Sequence, residues 1–432
     1  MTCGPNIAVI VGQEQARIRA EQQGSAGRAA VTAGAEFSVL GDDRYRLALP
    51  AIGVIFEVDR LRRERNELIG ELGVRCELPG ARTFDGSLSI ADFNLSSARA
   101  RSERARLLAQ CANTRDLDWL VLVEEFCQRV LQADRIGQPA VDLRTLPPPT
   151  ADDTLQVEGL CLLRRHPTML FGDGGAAKSY LGLYLAGRLA ERGMRVALFD
   201  WELAGEDHRD RLGRLFWDGM PRVLYVRCER PLAFEIDRLK RIVREHDVEF
   251  SVYDSVAFAC DGPPEAAEIA GRYFRAVRQI GGGSLHIAHV SKGENADQKP
   301  FGSAFWHNGA RSTWYAQLAS SEPNSETLSL GLFNRKSNLG RLQAPIGFTV
   351  SFADDHTTFR RADVADSPDL AMKLSVRQRM AALLRRGAMA PEAIAEQIDA
   401  DLETVKRTAR RYREQFVVIP GGQFALLERR AL

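Results

Sequence analysis

The sequence has little net charge and no long apolar segment. Its 58 Lys and Arg residues nearly balance 57 Asp and Glu residues, for a formal charge of +1. Nucleic acid, a membrane or an acidic substrate would therefore have to be bound by a local patch of charge. The chain has no run of about 20 apolar residues that could span a bilayer, and its first residues lack the pattern of a secretory signal. We expect a soluble, cytoplasmic protein with no membrane partner.

The sequence also lacks paired cysteines. Its seven cysteines are scattered, and none forms a C-x-x-C pair. This pattern argues against a disulfide framework or a zinc finger and is typical of a reducing compartment. The chain has 432 residues, of which 45% are hydrophobic, which suits two or three domains with separate cores.

The first third of the chain predicts a flexible leader and an α+β module of unknown role. Residues 1–35 are rich in Ala, Gly and Gln and lack periodicity. Within 36–145, β-type residues extend to about Val58, and helical spacing then predicts a helix that includes Leu61, Leu68, Ile69 and Leu72. Two more helices are predicted around 97–112 and 118–132.

Three consecutive prolines within 144–154 predict a linker, because they forbid both helix and strand pairing. Over residues 155–362, short apolar strands alternate with amphipathic helices, which predicts an α/β fold with a parallel sheet. Two later strands, around 326–337 and 345–352, are expected to be antiparallel. A second linker is predicted over 360–369, and residues 370–432 predict a small helical unit that ends in a hairpin.

The stretch "FGDGGAAKSY" at 171–180 nearly matches the phosphate-binding pattern G-x-x-x-x-G-K-[ST]. It lies between a predicted strand and a predicted helix, which distinguishes a P-loop from a chance match. Alanine stands at 177, where the pattern has glycine, but alanine keeps the backbone N–H group that holds phosphate. The expected ATP-binding residues are Gly172, Asp173, Gly174, Gly175, Ala176, Ala177, Lys178, Ser179 and Tyr180. The alternative is a glycine-rich turn with an incidental lysine.

Three side chains are expected to bind the phosphates and the metal ion. Lys178 would place its charge at the β- and γ-phosphates, and the Ser179 hydroxyl would bind Mg²⁺. Asp254 ends the apolar strand "VEFSVYD", one strand–helix–strand excursion later, and would supply the carboxylate on the metal side. A strand can also end in Asp by chance.

The stretch "LFDWELAGED" resembles the RecA-type core, in which an acidic residue that ends the strand after the P-loop helix activates the attacking water. The resemblance implies that Glu202 is the catalytic base, with Asp200 as its neighbour and Glu206 and Asp207 as weaker candidates. A solvated acidic loop is the alternative.

The strand "LHIAHVSK" ends where RecA-like motors carry a polar sensor of the γ-phosphate. By this resemblance His289 is the sensor candidate, with Ser291 and Lys292 beside it. His286 lies inside the apolar run and is expected to be a core residue.

The following loop, "KGENADQKPFGSAFWHNGARSTW", lies where RecA-like proteins place the loop that lines a DNA channel. It mixes cations with aromatic rings, as single-strand binding requires. The expected DNA-binding residues are Lys299 and Phe301, with Trp306, His307 and Arg311 as further members. The alternative is a loop that packs its own aromatic side chains.

The stretch "FNRKSNLG" resembles the basic motif of ring helicases that reaches the neighbouring subunit's γ-phosphate. Arg335, Lys336 and Arg311 are the candidates for this role, and an exposed basic turn is the alternative. The similarity covers about 155–350 and is to the RecA superfamily, nearest to RepA-type helicases of plasmids, phages and integrated elements. It implies ATP and Mg²⁺ as cofactors and a homo-oligomeric ring, hexameric or heptameric.

The C-terminal segment predicts a winged helix-turn-helix. The stretch "IDADLETVKR" joins two helices, and "IPGGQ" between β-type runs predicts the turn of a wing. The last helix carries a basic edge that suits the major groove of duplex DNA. The expected DNA-binding residues there are Lys406, Arg407, Arg410, Arg411 and Arg413. A winged helix used only for protein contacts is the alternative.

Together these features predict an ATP-hydrolysing RecA-like ring motor that acts on DNA, as a helicase or replication ATPase of a mobile element. Single-stranded DNA would pass through the ring channel, and the winged helix would hold duplex. The alternative is an ATP-dependent DNA-bound regulator or loader that unwinds nothing. A defence or signalling ATPase is a third hypothesis.

Overall fold

A computed structural model describes residues 34–41, 43–114, 116–137, 140–148, 153–290, 300, 302, 304–319, 325–338 and 340–427. The chain divides into two compact units after Pro147. All but the last two residues of the predicted leader over 1–35 lie outside the described residues.

The first unit is an antiparallel five-stranded sheet, in which neighbours in sequence are neighbours in space, followed by two helices. Its strands are β1 (Glu36–Val39), β2 (Tyr45–Leu49), β3 (Val54–Glu64), β4 (Glu67–Cys76) and β5 (Ser87–Asn94), and its helices are α1 (Ala98–Ala112) and α2 (Trp119–Ile136). Alternate residues of β3, including Val54, Phe56 and Val58, form one core with buried residues of α1 and α2. The two helices predicted around 97–112 and 118–132 are confirmed.

The helix predicted through Leu61, Leu68, Ile69 and Leu72 is wrong, because this segment is the hairpin of β3 and β4. Arg65 and Asn66 both have positive φ, 46° and 69°, as the two central residues of a type I′ turn require. Beyond the turn, every second residue of β4 from Leu68 to Cys76 is buried. Burial of every second residue shows that this segment is a strand, although its leucines also have helical spacing.

The second unit contains a nine-stranded sheet in the order β10-β9-β11-β12-β8-β13-β14-β15-β16. Its strands are β8 (Pro167–Gly172), β9 (Val196–Asp200), β10 (Val223–Arg227), β11 (Phe250–Asp254), β12 (Gly283–His289), β13 (Ser312–Leu318), β14 (Thr327–Ser337), β15 (Ile346–Phe352) and β16 (Thr357–Ala362). The strands from β10 to β13 pair in parallel, and β14 to β16 are antiparallel. The predicted α/β class is confirmed. A separate hairpin, β6 (Thr154–Val157) and β7 (Leu160–Leu163), precedes β8.

Helices cover both faces of this sheet. They are α3 (Lys178–Glu191), α4 (Gly205–Leu215), α5 (Leu232–Glu245), α6 (Val256–Ala259), α7 (Ala267–Ile280) and α8 (Ala304–Gly309). Met169 and Phe171 of β8 belong to the core shared with α5, α7 and α8, whereas Leu170 belongs to the core shared with α3 and α4. Alternation along a strand thus fills two separate hydrophobic layers.

The predicted linker over 360–369 is wrong, because this segment packs against the sheet. Val364 and Leu370 are buried in the same core as Met169. A short helix, α9 (Pro368–Ala371), leads to a unit of three helices and a hairpin, which has its own small core. These elements are α10 (Val376–Leu384), α11 (Pro391–Gln397), α12 (Leu402–Arg411), β17 (Phe416–Val418) and β18 (Phe424–Leu426).

Candidate functional site

The parallel strands bring four predicted site segments to one edge of the sheet. β8, β12, β11 and β9 are successive neighbours, and all end at this edge. In their pairing His289 lies opposite Gly172, and Asp254 lies opposite Asp200. Because β12 lies between β8 and β11, the histidine is placed between the P-loop and the acidic strand end.

Gly172 allows the P-loop strand to pair closely with β13. A Cβ atom at this position would lie 2.2 Å from the carbonyl oxygen of Ala316, which no side chain could tolerate. The three residues that follow, Asp173 to Gly175, are exposed, and α3 begins at Lys178. The loop is therefore anchored at both ends and open in the middle, where its backbone N–H groups and the start of α3 favour an anion.

Ala177 adopts a left-handed conformation, with φ 49° and ψ 23°. This region costs an L-residue roughly 1–2 kcal/mol and is where glycine is normally favoured. The chain therefore retains the loop geometry that the glycine of the pattern would provide, at a cost in stability.

Lys178 is buried, and its Nζ donates to the Asp173 carbonyl oxygen at 2.6 Å. Burial lowers the pKa of its ammonium group to about 8, while the nearby carboxylates of Asp254, Asp173 and Glu202 act in the opposite direction. The bond to the loop holds this cation beside the open part of the P-loop. With these acidic groups nearby, the ammonium group stays mostly protonated at neutral pH.

Asp254 is buried at the end of β11, and burial raises the pKa of its carboxyl group to about 6. A hydrogen bond with the Ser179 side chain lowers the pKa, and the charges of Glu202 and Asp200 raise it. Among the described residues, Oδ1 of Asp254 has no hydrogen-bond partner. A buried carboxylate oxygen with unused capacity beside a serine hydroxyl fits a divalent cation that prefers oxygen ligands.

Glu202 lies two residues beyond β9 and is exposed. The Ser255 hydroxyl donates to its Oε1, and the backbone N–H of Trp201 donates to the Asp254 carbonyl oxygen at 2.8 Å. These bonds continue the pairing of β9 and β11 past the strand ends. They hold the Glu202 carboxylate beside Asp254 and open to water.

Asp200 stabilises the turn that presents Glu202. Its Oδ2 accepts the Leu203 backbone N–H at 2.8 Å and lies 3.3 Å from Arg227, and its Oδ1 lies 3.2 Å from His208 Nε2. The side chain is fully buried, which suits a supporting group.

The weaker candidates Glu206 and Asp207 lie in the first turn of α4. Both are exposed, and the Asp207 carboxylate accepts the backbone N–H of Ala204 at 3.4 Å. An acidic side chain at this position stabilises the start of a helix.

His289 is half-buried at the end of β12, where burial and the nearby Lys178 cation lower the pKa of its imidazole. The charge of Glu202 raises the pKa, so both groups lie within electrostatic reach of the histidine. His286 is fully buried and within 2.8 Å of both the Tyr273 hydroxyl and the Ser284 hydroxyl. Its expected place in the core is confirmed.

Of the three basic candidates for a contact with a neighbouring subunit, Arg311 and Lys336 lie towards the opposite edge of the sheet. Arg335 follows Asn334, which is level with Leu170 in the middle of β8. Arg311 precedes β13, and its backbone N–H donates to the Pro167 carbonyl at the start of β8. Lys336 in β14 pairs with Thr313, which lies next to this edge. Thr168, which is level with the residue after Arg311, lies roughly 13 Å along β8 from Gly172, and Met169, which is level with Lys336, lies roughly 10 Å from it.

Two of these basic residues also have contacts within the chain. Lys336 Nζ donates to the carbonyl oxygens of His307, Asn308 and Ala310 at 2.8, 3.0 and 2.8 Å, and so caps the end of α8. The guanidinium of Arg335 lies over the rings of Tyr315 and Phe333. Their contact with a neighbouring subunit stays a prediction.

The predicted channel loop is described only in part. Lys299, Phe301, Ser291 and Lys292 lie outside the described residues. Trp306 is fully buried and donates its Nε1–H to the Pro264 carbonyl at 2.7 Å. It packs on Tyr273 and Phe274, so the expectation that it offers a stacking surface is wrong.

Tyr180, the last residue of the predicted P-loop, packs within its own unit. Its ring meets Phe352 edge-on, and the Arg211 guanidinium lies 4.8 Å from its centre. The ring therefore supports α3 from the side.

The predicted DNA-binding residues of the C-terminal unit lie on or just after α12. Lys406 lies 3.8 Å from Glu392, whereas Arg410, Arg411, Arg413 and Arg407 are exposed. Arg407 and Arg411 line a cleft that faces β14, and Arg410 and Arg413 are not part of that lining. The basic residues therefore lie on two different faces.

Local pattern could identify some of the site and not the rest. Ser255 directly follows Asp254 in the sequence, but its contact with Glu202 depends on the pairing of β9 with β11. His208 and Arg227 come from α4 and β10, and only the folded sheet brings them to Asp200.

No helix among the described residues has both the length and the apolar character needed to cross a membrane. No protein-family model matches the chain, and no curated protein matches it. Among solved structures, the chain is similar to a KaiC-like protein from the hyperthermophilic archaeon Pyrococcus horikoshii, at 15% identity and a TM-score of 0.36. That alignment covers 46% of this chain and 91% of the other.

Proposed function

We propose that this protein is an ATP-hydrolysing RecA-like motor that acts on DNA, as a helicase or replication ATPase. The observation that supports this most is the convergence at one sheet edge of the P-loop, the Ser179–Asp254 pair, Glu202 and His289. A P-loop alone binds nucleotide. The added carboxylate and polar sensor are what hydrolysis requires.

In this proposal the loop N–H groups and Lys178 bind the β- and γ-phosphates. Lys178 would exchange its bond to the Asp173 carbonyl for bonds to phosphate oxygens. The Glu202 carboxylate, oriented by Ser255, accepts a proton from water as the water oxygen attacks the γ-phosphorus. The bond from that phosphorus to the ADP oxygen breaks, which yields ADP and phosphate.

Ser179 and Asp254 would hold Mg²⁺. The unpartnered Oδ1 of Asp254 and the adjacent hydroxyl give it the oxygen ligands that it prefers. When bound, the ion neutralises charge on the β- and γ-phosphates. Because ligation needs the ionised carboxylate, binding of the ion would lower the pKa of Asp254.

The proposal includes a ring of identical subunits, with six as the expected number. Arg311 and Lys336 lie roughly 10 Å or more along the sheet from the P-loop of their own chain, which favours a role at the γ-phosphate of a second copy, and Arg335 is proposed to act with them. The three C-terminal helices and their hairpin would form a winged helix that holds duplex DNA through Lys406, Arg410 and Arg413. Single-stranded DNA would contact the loop that contains Lys299 and Phe301.

The experiment that tests the chemistry compares Glu202→Gln with Glu206→Gln in the full chain. Both remove one exposed carboxylate, but only Glu202 lies beside Asp254. We expect Glu202→Gln to reduce ATP turnover at least about 100-fold, as loss of a general base does, while it keeps nucleotide binding. Glu206→Gln should hydrolyse ATP like the wild type. Wild-type turnover in Glu202→Gln would show that the base is another group.

Action on DNA needs a separate measurement. A helicase should displace a labelled strand from a partial duplex in one direction, only with ATP and Mg²⁺. DNA-dependent ATP turnover without displacement would overturn the helicase proposal and favour a DNA-bound regulator or loader.

A further inference from the structure

A large cleft separates the end of the nine-stranded sheet from the C-terminal helical unit. Its volume is about 1050 Å³, and its walls come from β14, from residues 342–345 and from α10 and α12. Its lining includes none of the residues of the P-loop.

The lining of this cleft is strongly basic. It contains six basic side chains and one acidic side chain, a net charge of +5, in a chain whose total charge is +1. The basic residues are Arg335, Lys373, Arg377, Arg385, Arg407 and Arg411. The one acid, Asp363, forms an ion pair with Arg385 at 2.8 Å. The lining therefore contains more positive than negative side chains.

A neighbouring cleft provides an internal comparison. It lies beside α9, α10 and the end of α11, has a volume of about 760 Å³, and is lined by three basic and three acidic side chains. The two clefts share Asp363, which precedes α9, and Arg385, which directly follows α10. The positive charge of the larger one is thus a local property and not that of the whole C-terminal unit.

Three arginines carry the charge of the larger cleft without an acidic partner. Within the described part of the chain, Arg377, Arg407 and Arg411 contact only neutral groups. Arg377 donates to the Gln415 side-chain oxygen, and Arg407 donates to the Thr404 hydroxyl at 3.2 Å. The guanidinium carbons of Arg377 and Arg411 lie 4.0 and 5.6 Å from the centre of the Tyr412 ring. Stacking on this ring fixes their orientation while leaving donors for a phosphate.

We propose that this basic cleft binds the phosphate backbone of single-stranded DNA. The face of α12 that carries Arg407 and Arg411 looks across the cleft at β14 and residues 342–345. A recognition helix must present an open face to enter a major groove, so this face is unsuited to duplex. A single strand is narrower, and exposed Leu342 and half-buried Pro345 offer apolar contacts for its bases.

This inference rests on the proposed action on DNA. It assigns the basic residues on the two faces of α12 and its C-terminal end to different forms of DNA. Arg407 and Arg411 face the cleft and the single strand. Arg410 and Arg413 lie outside the lining and stay available to duplex. Both pairs consist of exposed arginines about one helical turn apart. Each pair is therefore a matched control for the other.

The test measures binding of a labelled oligothymidine and of a duplex of the same length to the full chain, over a range of salt concentrations. We expect R407A/R411A to weaken single-strand binding at least about tenfold and to reduce the salt slope by about 1.4, since each single-strand phosphate contact contributes about 0.7. R410A/R413A should change single-strand binding less than about twofold and weaken duplex binding. R407K/R411K, which keeps the charge, should retain most single-strand binding. It therefore shows whether weaker binding by R407A/R411A comes from lost charge or from misfolding.

Several results would overturn the proposal. Equal losses of single-strand binding in both alanine pairs, or a larger loss in R410A/R413A, would show that the cleft is not the site. Ultraviolet cross-linking of oligothymidine to the wild-type chain should label peptides within 373–415 or 333–345, and labelling elsewhere alone would contradict it. If R407A/R411A binds DNA normally and ATP turnover still responds to DNA, only the cleft is wrong. Failure of the wild type to bind any DNA would instead overturn the proposed function as well.

Discussion

Ala177 shows how a single methyl group bears on the nucleotide loop. Its φ of 49° lies in the region that L-residues avoid, and it is the residue just before α3. The sequence could show that alanine keeps its backbone N–H group. It could not show that the loop keeps the conformation of glycine, because that depends on how β8 and α3 hold the loop ends.

We expect Ala177→Gly to stabilise the unit that contains the P-loop by about 1 kcal/mol. Glycine removes the cost of the left-handed conformation, roughly 1–2 kcal/mol. Part of this gain in stability is lost, because glycine also raises the conformational entropy of the unfolded chain. Denaturant unfolding followed by tryptophan fluorescence measures the change, since Trp201, Trp306 and Trp314 are buried in this unit. A loss of stability would mean that the methyl group makes contacts worth more than the backbone cost.

His286 makes stability depend on pH. Burial lowers the pKa of its imidazole to about 3, whereas an unfolded histidine titrates near 6.5. Below pH 6.5 the unfolded chain binds a proton that the folded chain does not, so stability is present above this pH and is lost as pH falls. Between pH 6.5 and 5 the loss is about 2 kcal/mol.

The variant that isolates this effect is His286→Gln, which keeps a donor and an acceptor. We expect it to be less stable than the wild type at pH 7.5, but to lose about 2 kcal/mol less on acidification to pH 5. Unfolding free energies at the two pH values give the answer. Parallel losses in both proteins would show that His286 is protonated in the folded state.

At the scale of elements, the pairing of β8 with β13 determines where the P-loop begins. Gly172 is required because the Ala316 carbonyl oxygen occupies the space that a side chain would need. Gly174, two residues later, has no atom within 4 Å of its would-be Cβ. A side chain is therefore excluded by close packing at Gly172 but has free space at Gly174.

We expect Gly172→Ala to lower the unfolding free energy by more than about 2 kcal/mol, because the methyl group must push two sheet strands apart. Gly174→Ala should change stability by less than about 0.5 kcal/mol, as an exposed loop substitution does. The measurement is thermal unfolding of the two variants and of the wild type under the same conditions. Similar stability of all three proteins would mean that β8 and β13 are not paired at this point.

Sequence periodicity predicted the elements of the second unit better than those of the first. Parallel strands buried on both faces gave short apolar runs, and β8, β11 and β12 were placed from them. In the first unit, Leu61, Leu68, Ile69 and Leu72 had helical spacing by coincidence, and the turn at Arg65 and Asn66 contained no glycine to mark it. The segment from 360 to 369 resembled a linker because the buried Val364 is isolated in a polar stretch and the buried Leu370 comes only after it.

For the whole molecule, the parallel sheet separates two kinds of chemistry. One edge holds the acidic groups, the lysine and the histidine of the proposed nucleotide site, and Arg311 and Lys336 lie towards the opposite edge. The strand ends made the first group predictable, since parallel strands bring their carboxyl ends together. The basic cleft was not predictable, because its walls come from segments about 40 to 80 residues apart in sequence that only the packed chain brings together.

The central claim is that these strand ends form one ATP site, and calorimetric titration of the full chain with ATP and Mg²⁺ tests it most directly. The comparison is between the wild type, Lys178→Ala and Arg192→Ala, which removes a cation just beyond the other end of α3. The account predicts saturable binding to the wild type and to Arg192→Ala, with at least about tenfold weaker binding to Lys178→Ala, the cost of losing a charged hydrogen bond to phosphate. Equal affinity of Lys178→Ala and the wild type would contradict it.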